Sequence, residues 1–214
     1  MAQQARVKQP PDILSDDSPE TYITYEEFLA AADEDRPAEW VRGKVVYMAP
    51  VSDEHNRVGF FLLRLIGDFV EDNQLGAVRY ESFQMKTGPN LPGREPDILF
   101  VANENLSRIK KNHLEGPADL VVEIVSPESR ERDRVEKYRE YEQGGVREYW
   151  LIDLERQEAL FYRRNAQGMY EPGPIDENGI YESAVLPGLQ LRVSWLWQRP
   201  LPLLREVQAE RERS

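Results

Sequence analysis

The chain has 214 residues, 40% of them apolar, no cysteine, two histidines and a formal net charge of −12. That length and apolar content suit one domain with a substantial core, while the lack of cysteine excludes a disulfide framework or a cysteine-based zinc site and fits a reducing cytoplasm. No apolar run approaches a membrane span, Met1 to Gln9 is too polar for a signal peptide, and the acidity weighs against a broadly basic nucleic-acid surface.

Residues 1–20, rich in Gln, Pro, Asp and Ser, read as a flexible lead-in. An ordered domain is expected over 21–200, followed by a charged tail over 201–214. Thr24 and Glu27 form a capping box for a helix running through Ala32. Trp40 to Met48 reads as a hairpin turning at Arg42-Gly43. Glu39 at its mouth is either an exposed strand-end acid or an acid that supports a site. From Asn56 to Asn73 the spacing of Val58, Phe61, Leu62, Leu65, Ile66, Phe69 and Val70 predicts an amphipathic helix. His55, near its start, is read as a hydrogen-bonding histidine or a contact to phosphate. Ala77 to Lys86 reads as one strand, and Gly88 to Gly93 as a loop leading into Pro96-Asp97.

The next stretch carries the chemistry. Pro96-Asp97 opens the apolar run Ile98 to Val101, and Glu123 interrupts a second run from Leu120 to Val125. An unpaired buried carboxylate is costly, so such a glutamate either points outward or is held for chemistry. Sequential strands usually pair, and antiparallel pairing places the start of one beside the end of the other, with both carboxylates on one side of the sheet. Ser126, Pro127 and Glu128 suit a helix start and Gly144-Gly145 its stop. Asp133, Lys137 and Tyr141 fall at i, i+4 and i+8 on one face. Glu148 to Asp153 is a further strand, so a parallel strand–helix–strand crossover lays that face over the sheet and brings Lys137 toward Glu123.

Two carboxylates and a lysine suit a hard cation, Mg²⁺ or Mn²⁺ rather than Zn²⁺. The lysine would steady the charge building on a phosphate. Arg130, Arg132, Arg134 and Arg139, with Arg108, Lys110 and Lys111, are either a local basic surface or a solvated face paired to Glu131, Glu136 and Glu140. Ala159 to Tyr170 reads as a hairpin turning at Asn165 to Gly168, and one or two strands follow through Tyr181 to Leu191. Trp195 and Trp197 are assigned to packing or a dimer surface, and Leu203 to Ser214 to a weakly amphipathic charged helix. No dinucleotide, P-loop or zincin motif is present.

The order Pro96-Asp97, strand Glu123, Ser126-Pro127, Asp133, Lys137, Tyr141 and then Gly145-Val146-Arg147-Glu148-Tyr149-Trp150-Leu151-Ile152-Asp153 resembles the Uma2 family of restriction-endonuclease-like proteins, itself similar to the PD-(D/E)XK nucleases. The likeness runs over about residues 21 to 197 and includes the turn Leu186-Pro187-Gly188-Leu189. It implies an α/β (α+β) restriction endonuclease-like core, a mixed β-sheet flanked by helices with added N- and C-terminal strands. It further implies a Mg²⁺- or Mn²⁺-dependent endonuclease cleaving DNA, with Asp97 and Glu123 on the metal and Lys137 catalytic. Glu39, His55, Asp133 and Tyr141 would support the site or contact substrate. The usual lysine two residues after the glutamate falls at Val125, and Lys137 on the helix takes its place. A homodimer would suit double-strand cutting. The alternatives are a catalytically inactive nuclease fold used for binding or regulation, or a module in which Glu123 and Lys137 are only a buried ion pair.

Overall fold

A computed structural model of the chain describes residues 22–32, 36–127 and 129–211. The expected lead-in, the helix-start Glu128 and the last three residues lie outside these. Helix α1 (Tyr25–Ala31) begins at the predicted capping box, in which Thr24 accepts the Glu27 amide and Glu27 accepts the Thr24 amide. Strands β1 (Ala38–Val41) and β2 (Lys44–Tyr47) form a hairpin whose two turn residues, Arg42 and Gly43, both have left-handed φ of 53° and 89°. That conformation matches the twist of the strands it joins. Helix α2 (Asp53–Asp72) starts three residues before the expected Asn56, because Ser52 accepts the His55 amide and caps it.

The single strand expected over 77–86 is two. In β3 (Gly76–Tyr80) Val78 packs on one core, and in β4 (Gln84–Lys86) Met85 lies in another. The apolar residues change parity between Tyr80 and Phe83, and the chain passes there from the edge of one sheet, at β3, into a second sheet, at β4. The break leaves Glu81 at the junction. There follow β5 (Gly93–Arg94), β6 (Ile98–Ala102), β7 (His113–Glu115) and β8 (Leu120–Val125). A π-helical stretch, Arg132–Lys137, runs into α3 (Tyr138–Gly144), which ends at left-handed Gly145. Strands β9 (Glu148–Asp153), β10 (Glu158–Arg164), β11 (Tyr170–Pro172), β12 (Ile180–Glu182) and β13 (Gln190–Arg192) lead to α4 (Leu204–Arg211).

The main sheet is mixed and six-stranded, in the order β11-β10-β9-β8-β6-β3, and a second sheet runs β2-β1-β5-β4-β7. Only β8 and β9 are parallel in the main sheet, as a crossover through α3 requires. Leu120, Val122 and Ile124 face a core built with α2, whereas Val121 and Val125 face a second core that includes Tyr141 of α3. Burial on both faces explains why β8 is apolar throughout rather than alternating. Period two puts Glu123 on the α3 side. The antiparallel register Ile98↔Val122 extends to Asp97 opposite Glu123, so both acids belong to that face.

The C-terminal segment closes the α2 side. Trp195 is buried there and Trp197 is packed against it, and Leu204 and Val207 of α4 join the same core. On the α3 side the fit is tight at Gly144, where an added Cβ would stand 2.5 Å from the Cβ of Thr87. Gly144→Ala should therefore cost about 1–3 kcal/mol of overpacking. Denaturant midpoints of the variant and the wild type measure it, and equal midpoints would show that α3 moves freely against the β4 end.

Candidate active site

Asp97 and Glu123 line one cleft of about 590 Å³, together with His55, Glu81, Arg132 and Lys137. Asp97, at the entrance to β6, accepts the Ile124 amide at Oδ2 (2.5 Å), and its Oδ1 lies 3.2 Å from His55 Nε2. Glu123 is 4% exposed. Its Oε1 accepts the Tyr141 hydroxyl (2.5 Å) and lies 2.8 Å from Lys137 Nζ. Tyr141 thus holds the glutamate rather than the lysine that shares its helical face.

Lys137 is 1% exposed and meets three carboxylates, with Glu39 Oε1 at 3.1 Å and Asp133 Oδ1 at 3.4 Å besides Glu123. The π stretch makes this possible, since its i→i+5 bonds slow the helical rotation and keep Asp133, Lys137 and Tyr141 on one face. Ser129 donates to the other oxygen of Asp133, and Tyr149 donates to its carbonyl. Glu39 is not an exposed strand-end acid but is fully buried. The reason lies in the neighbouring strand: Arg94 of β5 donates to Glu39 Oε2 (2.8 Å) and to both oxygens of Glu140 (2.7 and 2.9 Å), which ties β1 to α3.

Burial dominates the electrostatics. It pushes Glu123 up to about 8 against the pull of Lys137, and Asp97 up to about 6 against His55. Burial acts the same way on Glu39, but Lys137 and Arg94 override it and hold that carboxyl down to about 2. Lys137 is buried too, yet its three acids keep the ammonium well above its usual range. His55, although buried, is held up to about 10 by Asp97 and Glu81.

Two cleft acids have no counterpart in the sequence reading. Glu81 Oε1 lies 3.7 Å from His55 Nε2, and the ligand-capable atoms of His55, Glu81 and Asp97 all lie within 4.8 Å of one another. Glu81 was hidden inside what reads as a continuous strand, and the parity change beside it was the available signal. Glu95, also in the cleft, is buried and pushed up to about 7; a buried acid preceding Pro96 leaves no pattern in the sequence. Of the basic run, Arg130 and Arg134 pair with Asp153 (3.2 and 3.0 Å), Glu155 and Glu158 rather than with the acids on their own helix. Arg132 lies 4.0 Å from Glu39 and lines the cleft. Arg108 donates to the Pro117 carbonyl, and Lys110 pairs with Glu115.

A mixed sheet with helices on both faces, and an acid pair beside a lysine at one end of it, define a restriction-endonuclease-like protein. The chain belongs to the Uma2 family, whose model, described as "Putative restriction endonuclease", matches residues 25–194. A crystal structure of "a putative nuclease belonging to DUF820" from Anabaena variabilis ATCC 29413 superposes with a TM-score of 0.67 at 19% identity. The match covers 82% of this chain and 97% of that one. At that identity the likeness shows the fold. No curated protein matches the chain significantly in sequence.

Removing Lys137 leaves Glu39, Asp133 and Glu123 facing one another without their shared cation. Lys137→Met should lower stability by about 3–5 kcal/mol, and adding Glu39→Gln should restore part of it; chemical denaturation of both variants measures this. Glu123 gives a pH signature. Its pKa is raised on folding from 4.5 to about 8, so the folded state binds more protons in that window. The contribution is present at low pH and is lost as pH rises toward 8. In EDTA, wild type should lose stability relative to Glu123→Gln over that range, and a pH-independent difference between the two would refute the assignment.

Proposed function

We propose that the protein is a Mg²⁺- or Mn²⁺-dependent endonuclease that hydrolyses DNA phosphodiester bonds in the Asp97–Glu123 cleft. The observation that carries the reading is the convergence of Asp97, Glu123 and Lys137 from two strands and a helix on one cleft, in a member of this family. The donor set fits a hard dication, because buried Glu123, half-buried Asp97 and half-exposed Glu81 supply carboxylate oxygens, and His55 is the cationic partner shared by the last two. Asp97 and Glu123, joined by Glu81, would hold the ion. When bound, it supplies Lewis-acid stabilisation of the charge that develops on the phosphate.

The chain's own groups do the positioning. Lys137 keeps its proton under the influence of three acids, so it serves as a fixed donor and positive charge toward a phosphate oxygen rather than as a base. Tyr141 and Lys137 fix one oxygen of Glu123, and the Ile124 amide fixes one oxygen of Asp97. That restraint orients both carboxylates before substrate arrives. Arg132, at the cleft wall, is placed to meet a flanking phosphate. A cytoplasmic setting, and two copies acting together for double-strand cutting, belong to the same reading.

The alternative, an inactive nuclease fold used for binding, draws on Val125 in the usual lysine position and on the engagement of Lys137 by three acids. Nicking of supercoiled plasmid separates the two. Wild type should nick in Mg²⁺ or Mn²⁺ and not in EDTA, and Asp97→Asn should lower the rate by about 10²-fold or more. Its melting temperature should stay close to wild type, because a half-buried carboxylate is replaced by a neutral isostere of the same size. Wild type inert with both ions would leave only the binding module.

A further inference from the structure

On the Lys137 side of the cleft the acids are already engaged: Glu123 Oε1 takes Lys137 and Tyr141, and Glu39 takes Lys137 and Arg94. The other side of Asp97 is built differently. His55 Nε2 stands 3.2 Å from Asp97 Oδ1 and 3.7 Å from Glu81 Oε1, and all three atoms fall within 4.8 Å of one another. Ligands about 2.1 Å from an octahedral ion stand roughly 3.0 Å apart when adjacent and about 4.2 Å when opposite. The two distances from His55 Nε2, 3.2 and 3.7 Å, fall between those adjacent and opposite values.

Their placement is also restrained by the fold. The His55 amide is tied to the Ser52 cap at 3.1 Å, the Glu81 amide donates to the Asp97 carbonyl at 3.3 Å, and the Ile124 amide holds Asp97 Oδ2. His55 is 7% exposed and lines the cleft, so its imidazole is a buried nitrogen donor aimed at two carboxylates. Among the described residues its Nδ1 has no partner, which leaves Nε2 as the engaged nitrogen.

We propose that His55, Glu81 and Asp97 form a mixed nitrogen–oxygen site for one divalent cation, with His55 Nε2 as a direct ligand, and that the site selects Mn²⁺ over Mg²⁺. The chemistry follows from the imidazole. Mg²⁺ favours an all-oxygen sphere and gives up water reluctantly, whereas a borderline nitrogen donor favours a transition ion. The all-oxygen site expected from Asp97 and Glu123 alone would make no such distinction. The inference rests on the endonuclease reading only in taking the cleft as a cation site.

The test uses tag-free, full-length protein stripped with EDTA and loaded with Mn²⁺ alone. The chain has only two histidines, and the other, His113, is on β7 and outside the cleft. Electron spin-echo modulation of bound Mn²⁺ should show directly coordinated ¹⁴N in wild type and none in His55→Gln. Calorimetry should show Mn²⁺ affinity falling about tenfold or more in His55→Gln, with Mg²⁺ affinity changed much less. Glu81→Gln, at a half-exposed position that the core does not need, should weaken Mn²⁺ while keeping the nitrogen coupling. Bound Mn²⁺ without nitrogen coupling in wild type, or coupling that survives His55→Gln, overturns the ligand assignment and leaves the endonuclease reading standing. Absence of any Mn²⁺ or Mg²⁺ binding overturns both.

Discussion

The ammonium of Lys137 is the point on which the cleft half of the molecule turns. It is almost fully buried and touches carboxylates from β1, from β8 and from its own π-helical turn. A charge so placed is tolerated only when its partners are held at close range, because desolvation costs several kcal/mol per ion. Each partner is therefore a constraint on the fold. Glu39 fixes the second sheet, Glu123 the main sheet, and Asp133 the helix that bridges them. Arg94 repeats the device one layer out, joining Glu39 to Glu140 and Glu136 of that helix.

This arrangement divides the cleft into two chemically distinct sides. Toward the helix, acids and cations neutralise one another through short, buried contacts, so that side is rigid. Toward α2, Asp97 and Glu81 face the imidazole of His55, whose Nε2 lies 3.2 Å from the first and 3.7 Å from the second. Asp97 and Glu123 sit at the boundary, with one oxygen of each fixed by protein donors.

Valine at position 125 and lysine at position 137 fit the same geometry. At Val125 a side chain shares the second-core face with Glu123, and there it is buried among apolar neighbours. A lysine at that place would need its own buried partner. The helix instead delivers its ammonium over Glu123 from above the sheet, and a π stretch keeps Asp133, Lys137 and Tyr141 aligned over the distance required. The wider turn puts a local irregularity beside the cleft.

The amino-acid sequence by itself determined the local elements and the two acids. Capping at Thr24, the Arg42-Gly43 turn, the period of α2 and the glycine stop of α3 are all short-range physics, encoded within a few residues of where they act. Asp97 and Glu123 stood out because each breaks an apolar strand, and sequential pairing brings such strands together. What only the tertiary structure decided was every relation between residues far apart in the chain that leaves no periodic trace. Glu39 was ambiguous because its burial depends on Arg94, 55 residues later, and on a helix later still. Glu81 went unseen because the apolar run around it reads as one strand until two separate cores claim its two halves. The acids that pair with Arg130 and Arg134 lie on β9, β10 and the turn joining them, not on the same helix, since only the crossover brings that edge beneath the guanidinium groups. Burial and charge balance are properties of the packed molecule, and no local pattern carries them.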